Sequence, residues 1–151
     1  MREAALVVPT SIAIAPMGPV ALDRVRRLEA LAMALPQVAI GTEHVFHAGV
    51  YARTIKVPAG VMITGVLIKI PTLLIVQGDA IVHVEDGPLE LHGYNVVPAS
   101  AGRKQAFVAL TDTHLTMIFA TEAGDVDAAE RQFTDELDKL MTRREAVPCQ
   151  A

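Results

Sequence analysis

The chain has 151 residues, a formal net charge of −4 and a hydrophobic content of 52%, and this length suits one domain with a core of ordinary size. The acidic balance argues against a nucleic-acid-binding surface, which requires clustered lysine and arginine. The single cysteine, Cys149, cannot form a disulfide within the chain and argues against a cysteine-based metal site. With 4% aromatic residues the apolar mass is mostly aliphatic, and we expect it to be buried within one subunit or against other subunits.

Residues 1–20 are predicted to form an extended, apolar N-terminal arm. Pro9, Pro16 and Pro19 oppose a helix and favour extended backbone, and they interrupt the continuous apolar run that a signal peptide needs. An apolar arm without charge after Glu3 must be covered, so we expect it to lie on the rest of its own chain or on a neighbour. Its candidate partner-binding residues are Leu6, Val7, Val8, Ile12, Ile14 and Met17.

Residues 21–36 are predicted to form an amphipathic helix. Pro36 closes it, because the residue before a proline avoids the helical region. The apolar stripe of the helix recurs at spacings of three and four, opposite its arginines. It consists of Leu22, Val25, Leu28, Leu31 or Ala32, and Leu35.

Residues 57–68 form an uncharged run later in the chain. This run is too short to span a membrane, and Pro58 interrupts it.

Residues 44–121 are predicted to form a mainly β domain. Short apolar runs alternate with turn residues throughout this stretch, and Asp86-Gly87 is typical of a hairpin turn. Nine short strands at close spacing predict a sandwich or barrel of the jelly-roll type. The candidate strands are residues 44–46, 50–57, 61–68, 73–76, 80–85, 89–91, 95–98, 105–110 and 115–121.

Residues 127–144 are predicted to form a C-terminal helix. Asp127 followed by Glu130 fits the outline of a capping box, and basic residues gather at the opposite end. Its apolar stripe consists of Ala129, Phe133, Leu137, Leu140 and Met141.

The histidines do not form a recognisable metal site. His44 and His47 are three residues apart, which places them on opposite faces of a strand. His83 shares a strand face with Glu85, which is more typical of a polar outward face than of a carboxylate–imidazole site, and His92 is predicted to lie in a loop. No three histidines have the spacing of a three-ligand site. We therefore expect no metal and no cofactor, with His44, His47, His83 and His92 as the weaker alternative.

The sequence contains no arrangement typical of a catalytic site. Ser11 and Ser100 are its only serines, and its ten glycines are scattered singly, so neither a nucleophile motif nor a phosphate-binding loop is present. The inward strand faces are predicted to be aliphatic, without the carboxylate or imidazole that acid–base catalysis needs. We expect a protein that is not an enzyme.

Residues 65–79 and 93–102 resemble the two sequence motifs of cupin barrels. The first is a strand, a turn and a second strand that ends in Gly-Asp. In metal-binding cupins this motif carries two histidines and a glutamate, and a further histidine follows the second motif, where this chain has residues 103–105 (RKQ). The resemblance therefore implies the barrel without its metal. The positions of the first motif that lack a ligand lie near Ile68, Pro71 and Thr72.

A longer stretch, residues 28–136, resembles the small cupin-like proteins encoded by tailed bacteriophages. The segments that carry the resemblance are LEAL (28–31), LPQV (35–38), TEHVF (42–46) and GVYARTIKVPAG (49–60). Some jelly-roll proteins of phages are virion components. By that analogy the resemblance implies a non-enzymatic cement or decoration protein, which binds the outside of a capsid and bridges neighbouring shell subunits.

The same resemblance implies partners and a location. The partner would be the major capsid protein, the chain would be a homodimer or higher oligomer, and it would lie on the capsid surface of the virion after synthesis in the host cytoplasm. Two alternatives stay open. One is a phage-encoded cupin enzyme or a small-ligand or metal-binding protein that uses the histidines named above, and the other is a cytoplasmic homodimer that senses a small molecule.

Overall fold

The computed structural model of this chain describes residues 12–145. No helix in that range is long and apolar enough to cross a membrane. In chain order the elements are α1 (Pro19–Met33), β1 (Thr42–His47), β2 (Val50–Val57), β3 (Met62–Thr64), β4 (Thr72–Gln77), β5 (Ala80–Val84), β6 (Gly87–Leu91), β7 (Tyr94–Ala99), β8 (Ala106–Ala109), β9 (Thr113–Ala120), α2 (Val126–Phe133), a 3₁₀ helix (Leu137–Lys139) and α3 (Met141–Glu145).

The strands form two antiparallel sheets with jelly-roll topology. The five-stranded sheet has the order β1-β2-β9-β4-β7, and the four-stranded sheet has the order β3-β8-β5-β6. The order β2-β9-β4-β7 facing β3-β8-β5-β6 is that of a jelly roll, and β1 extends one edge of it. The mainly β, jelly-roll prediction for residues 44–121 is therefore confirmed.

The predicted strands agree with the observed ones except in β3. The run over residues 61–68 is strand only as far as Thr64. Beyond Thr64 the chain is held to residues 103–105 by isolated backbone hydrogen bonds. These run from Gly65 N–H to Gln105 O (2.8 Å) and from Ile68 N–H to Arg103 O (2.8 Å). The hairpin predicted at Asp86-Gly87 joins β5 to β6 as expected.

Side chains from both sheets meet in one hydrophobic core. Along β4 the burial alternates strictly, with Leu74 and Val76 buried and Leu73 and Gln77 exposed, as the two-residue period of a strand requires. Val82 of the opposite sheet is also fully buried in this cluster. Each aliphatic side chain buried in this way stabilises the fold by about 1.5–3 kcal/mol.

The described part of the N-terminal arm, residues 12–18, lies along the edge of β7. Ile14 pairs with Ala99 in a parallel bridge and is only 1% exposed, and Met17 is also buried. The segment thus covers an edge that would otherwise present unpaired backbone groups. The arm was expected to lie either on the rest of its own chain or on a neighbouring molecule, and residues 12–18 lie on their own chain. Ile14 and Met17 are thus buried by their own chain and Ile12 is partly buried, and the partner contact predicted for these three residues stays a prediction, while Leu6, Val7 and Val8 lie outside the described residues.

Helix α1 begins two residues earlier and ends sooner than the predicted range, 21–36. Pro19 occupies its first turn, where a missing N–H costs nothing. Only Ala21 and Val25 of the helix are buried, and in its second half Glu29 reaches the barrel through an ion pair with Lys104. Leu31 (68% exposed) and Leu35 (62%) face solvent and Ala32 is half-buried, so the predicted apolar stripe continues through Ala32 rather than Leu31 and is wrong at Leu35.

The single C-terminal helix predicted for residues 127–144 is wrong. Helix α2 has Asp125 as its N-cap, with Asp125 Oδ1 accepting from Ala128 N–H (2.8 Å). It ends at Thr134, which is extended (φ −151°, ψ 152°). The Thr134 hydroxyl donates to Leu67 O (2.7 Å), and this tertiary bond turns the chain into the short 3₁₀ helix and α3.

Candidate functional site

A cavity of about 160 Å³ lies between the two sheets. Ile55, Leu115 and Met117 of the five-stranded sheet form one wall, and Ile63 and Phe107 of the four-stranded sheet form the opposite wall. Residues 139–141 of the C-terminal segment form a further wall. The cavity is therefore mostly aliphatic, is partly open to solvent, and has the C-terminal segment as one of its walls.

All the ionisable residues of the cavity wall are cations. Arg53, Arg103 and Lys139 line it, and its described wall contains no Asp, Glu, His or Cys. Arg53 is neutralised by Glu130 (Nη1–Oε2 2.9 Å) and Lys139 by Glu29 (Nζ–Oε1 3.0 Å). The charge of Arg103 is left without a carboxylate among residues 12–143.

Arg103 is held by neutral acceptors. Its Nη1 donates to Ser100 O (2.8 Å), and its Nη2 donates to Thr72 Oγ1 (2.6 Å) and approaches only a thioether, Met117 Sδ, at 3.9 Å. The residue is 2% exposed. Burial lowers the pKa of the guanidinium to about 10, so it still carries its charge at neutral pH. A buried charge without an ionic partner is costly.

Two further polar atoms of the wall have no hydrogen-bond partner in the described part of the chain. These are Gln105 Nε2 and Thr42 Oγ1, and both residues line the cavity. A buried donor or acceptor left in this way costs about 1–3 kcal/mol. Arg103, Gln105 and Thr42 together give this mostly apolar cavity three polar groups that a ligand could satisfy.

Charged side chains fasten the C-terminal segment to the barrel. Glu136 Oε1 accepts from Leu67 N–H (2.6 Å) and lies 3.2 Å from Nζ of the fully buried Lys104. Burial by itself raises the pKa of the Glu136 carboxyl, but the Leu67 N–H and the two ammonium groups of Lys139 and Lys104 bring it below its usual value. Lys104 also pairs with Glu29 of α1 (2.8 Å).

A second ionic cluster lies at the junction of β2, α2 and α3. Glu130 is 2% exposed and accepts from Arg53, from Thr142 and from Arg143 Nε (2.9 Å). Burial raises the pKa of the Glu130 carboxyl, and the hydrogen bonds from Thr142 and Arg53 outweigh it and lower the pKa overall. Tyr51 is also fully buried here, and its hydroxyl lies 2.6 Å from His44 Nδ1.

The four histidines of the metal alternative lie apart. His44 and His47 are on opposite faces of β1, as their spacing predicted. His83 is half-buried on β5 beside α1, and His92 lies after β6, 3.3 Å from Asp79 and 3.1 Å from Glu90 at the surface. No three His, Cys, Asp or Glu side chains in residues 12–143 are arranged to hold a metal ion.

The residues at the cupin metal positions do not fit a metal cation. Ile68 lines the cavity, and Thr72 accepts a hydrogen bond from Arg103. A cavity lined by cations and aliphatic groups repels a metal ion and offers it no ligands. The interior of this barrel is instead suited to a neutral or negatively charged organic group.

The outer face of the five-stranded sheet is the second surface of interest. The register of four neighbouring strand pairs places one residue from each of the five strands in a single cross-strand row, and all five residues are apolar. Within it the side chains of Val45 (56%) and Leu73 (39%) are strongly exposed. An exposed apolar patch of this kind is typical of a protein-binding surface. The row consists of Val45, Ala52, Ile118, Leu73 and Pro98.

No protein-family model matches the sequence, and no curated protein matches it significantly. Among solved structures, KdgF from Halomonas sp. has 21% identity and a TM-score of 0.47 over 60% of this chain and 87% of its own. A cupin superfamily protein from Desulfitobacterium hafniense has 16% identity and a TM-score of 0.45 over 61% and 88%. The cupin domain of Schizosaccharomyces pombe Cnp3 has 18% and 0.44 over 64% and 76%. These identities and TM-scores are too low to assign a ligand or an activity of those proteins to this chain.

Proposed function

We propose that this chain is a small-molecule-binding protein whose ligand occupies the cavity between the two sheets, and that it binds without catalysing a reaction. The observation that carries the proposal is the cavity of about 160 Å³. Interiors of folded proteins are close-packed, and voids larger than a water molecule are few. A void of this size needs an explanation.

The chemistry of the wall favours an occupant. The cavity is partly open to solvent, and water that enters it meets a mostly apolar wall. A ligand with a hydrocarbon part would displace this water, and its polar group would satisfy Gln105 Nε2 and Thr42 Oγ1.

Filling the cavity from within tests the proposal. In Ile55→Phe the larger side chain enters the cavity, so we expect ligand binding to fall at least 10-fold while the protein stays folded. The control is Ile75→Phe, in the outward register of β4, which should bind normally. Two sources provide candidate ligands. The first is any small molecule that is released when the purified protein is denatured, and the second is a panel of small acids, amides and alcohols. Binding of each compound is measured as a thermal shift of the protein.

The outcomes of this test are distinct. A rise in Tm with one or more compounds, lost in Ile55→Phe and kept in Ile75→Phe, supports binding in the cavity. The absence of any bound compound or shift, or equal shifts in the two variants, would contradict it.

A second candidate is the virion role that the phage resemblance implies, and the apolar outer row of the five-stranded sheet favours it. In this proposal the chain is a cement or decoration protein, and the row contacts the major capsid protein or a second copy of the chain. Residues 12–18 are engaged on their own barrel, so the sheet face takes over the contact first predicted for the arm. The copy number of the protein relative to the major shell protein in purified virions tests this role, and its absence from virions would reject it.

A further inference from the structure

We infer that the ligand of the cavity is a small organic acid with one carboxylate, which is held by Arg103 while its hydrocarbon part fills the aliphatic cavity. This inference rests on the proposed small-molecule-binding function and specifies its ligand class. It follows from charge, from hydrogen-bonding capacity and from size.

The charge balance of the wall leaves room for one negative charge. Arg53 and Lys139 are each paired with a carboxylate of the protein, whereas Arg103 has only carbonyl, hydroxyl and thioether neighbours. One unneutralised cation matches a monoanion. A phosphate ester would bring close to two charges and a larger hydrated head group into an apolar cavity, so it is the poorer match.

The hydrogen-bonding capacity of Arg103 also suits a carboxylate. Nη2 uses Thr72 for one of its hydrogens, and toward Met117 Sδ it makes only a weak contact of 3.9 Å. A carboxylate oxygen that displaces this sulfur would gain a charge-assisted bond, since guanidinium is the preferred protein group for planar oxyanions. Met117 is unbranched and can move aside.

Arg103 also has a structural role, which does not account for its charge. Its bonds to Ala99 O and Ser100 O hold the turn that leads out of β7. Neutral donors can make such bonds equally well, and only a charged ligand oxygen neutralises the buried guanidinium. The short stretch after Gly102, in which metal-binding cupins carry a histidine, would thus carry an anion-binding residue here.

The size of the cavity limits the ligand. A cavity of about 150 Å³ in another protein holds one benzene molecule, and the volume here is about 160 Å³. The ligand is therefore an acid of about six to nine non-hydrogen atoms with a branched, linear or aromatic hydrocarbon part.

The test compares each acid with its own amide. 3-Methylbutanoate, hexanoate and benzoate, and the three corresponding primary amides, are titrated into the full-length protein by calorimetry at pH 7. We expect the best acid to bind on the order of 10- to 100-fold more tightly than its amide, as loss of a charge-assisted bond implies. This comparison requires no variant.

Two variants and one spectroscopic signal locate the carboxylate. Arg103→Met should bind acid and amide equally. Arg103→Lys should show an intermediate preference for the acid, because lysine keeps the charge but lacks the paired N–H donors of the guanidinium. In ¹H–¹³C spectra the Met117 methyl signal should shift with the acid. The Met33 methyl, on the exposed side of α1, should not shift.

Each outcome has one meaning. Tighter binding of acids, with the preference lost in Arg103→Met, supports the inference. Equal binding of acids and amides overturns the carboxylate and leaves small-molecule binding intact. If neither series binds and Ile55→Phe behaves as Ile75→Phe does, both the inference and the proposed function fail.

Discussion

Ile14 is the residue that ties the described part of the N-terminal arm to the barrel. Its N–H donates to Pro98 O (2.8 Å) and its carbonyl accepts from Ser100 N–H (2.9 Å), while its side chain is fully buried in the main core cluster. The arm thus contributes a core residue in addition to covering the edge of β7.

We predict that Ile14→Ala lowers the free energy of unfolding of the isolated protein by about 2–4 kcal/mol, because it removes three buried carbons and leaves a cavity. The control is Val20→Ala, at a side chain that is 68% exposed, for which we expect a change within about 0.5 kcal/mol. Urea unfolding measures both. Equal effects of the two substitutions would show that Ile14 is not part of the core.

The residues that give the cavity its polar character could not be identified from sequence. Arg103 and Lys104 lie outside the predicted strands and Gln105 is at the start of one, yet all three polar residues are at least 95% buried. They lie between β7 and β8, where single hydrogen bonds replace a regular ladder. The alternation that predicts inward and outward residues does not apply there.

At the scale of elements, the C-terminal segment is the part that deviates most from its prediction. Its apolar periodicity favoured one continuous helix. Such a periodicity indicates which residues are buried, but it does not indicate where the helix is interrupted. The break at Thr134 depends on two hydrogen bonds to Leu67, one from the Thr134 hydroxyl to Leu67 O and one from Leu67 N–H to Glu136 Oε1. Leu67 is distant in sequence, so no local pattern could reveal these bonds. The start of the same helix was predicted to within two residues, but its cap is Asp125 rather than the Asp127–Glu130 capping box.

Acid should loosen this segment. The pKa of Glu136 in the folded protein is below the ordinary value of 4.5, so the unfolded chain binds this proton more readily than the folded one does. The stability that Glu136 contributes is complete above about pH 4.5 and is lost as the pH falls through the lowered folded pKa. The pKa of Glu130 is lowered in the same direction and adds to the effect.

We predict that Glu136→Gln destabilises the protein by about 2–4 kcal/mol at pH 7, because the buried Lys104 keeps only Glu29 as a partner. The variant should also show a shallower loss of stability below pH 4.5. Thermal unfolding between pH 3 and pH 7 measures both effects. The neighbouring Asp135→Asn is the control, since Asp135 is 85% exposed and its pair with Lys69 is worth little. A pH profile of Glu136→Gln identical to that of the wild type would refute the prediction.

For the whole molecule, the jelly roll was predictable because its strands are short, alternating and separated by Gly, Pro and Asp turns. The register between strands was not, because it depends on pairings such as Leu73 with Ile118, far apart in sequence. Only this register brings Val45, Leu73 and Pro98 into one row. The sequence showed an excess of aliphatic residues, and the fold shows that part of the excess lies on an outer face.

The size of that face limits how tightly it can associate. Five strands spaced about 4.8 Å apart and about 20 Å long present on the order of 500 Å², which is less than the roughly 800 Å² per partner of a standard stable interface. We therefore expect self-association through this face to be weak, in the micromolar range.

We predict that the wild-type protein forms a concentration-dependent dimer in sedimentation velocity, and that Leu73→Lys weakens it at least 10-fold by placing a charge within the apolar row. Because Leu73 faces solvent, the Tm of this variant should stay within about 2 °C of the wild-type value. Leu110→Lys is the control, since Leu110 is similarly exposed (45%) and follows β8 of the other sheet. A dimer that survives Leu73→Lys, or one that Leu110→Lys weakens equally, would place the interface elsewhere. A wild-type monomer at every concentration would leave this face to a partner other than the chain itself, such as a capsid protein.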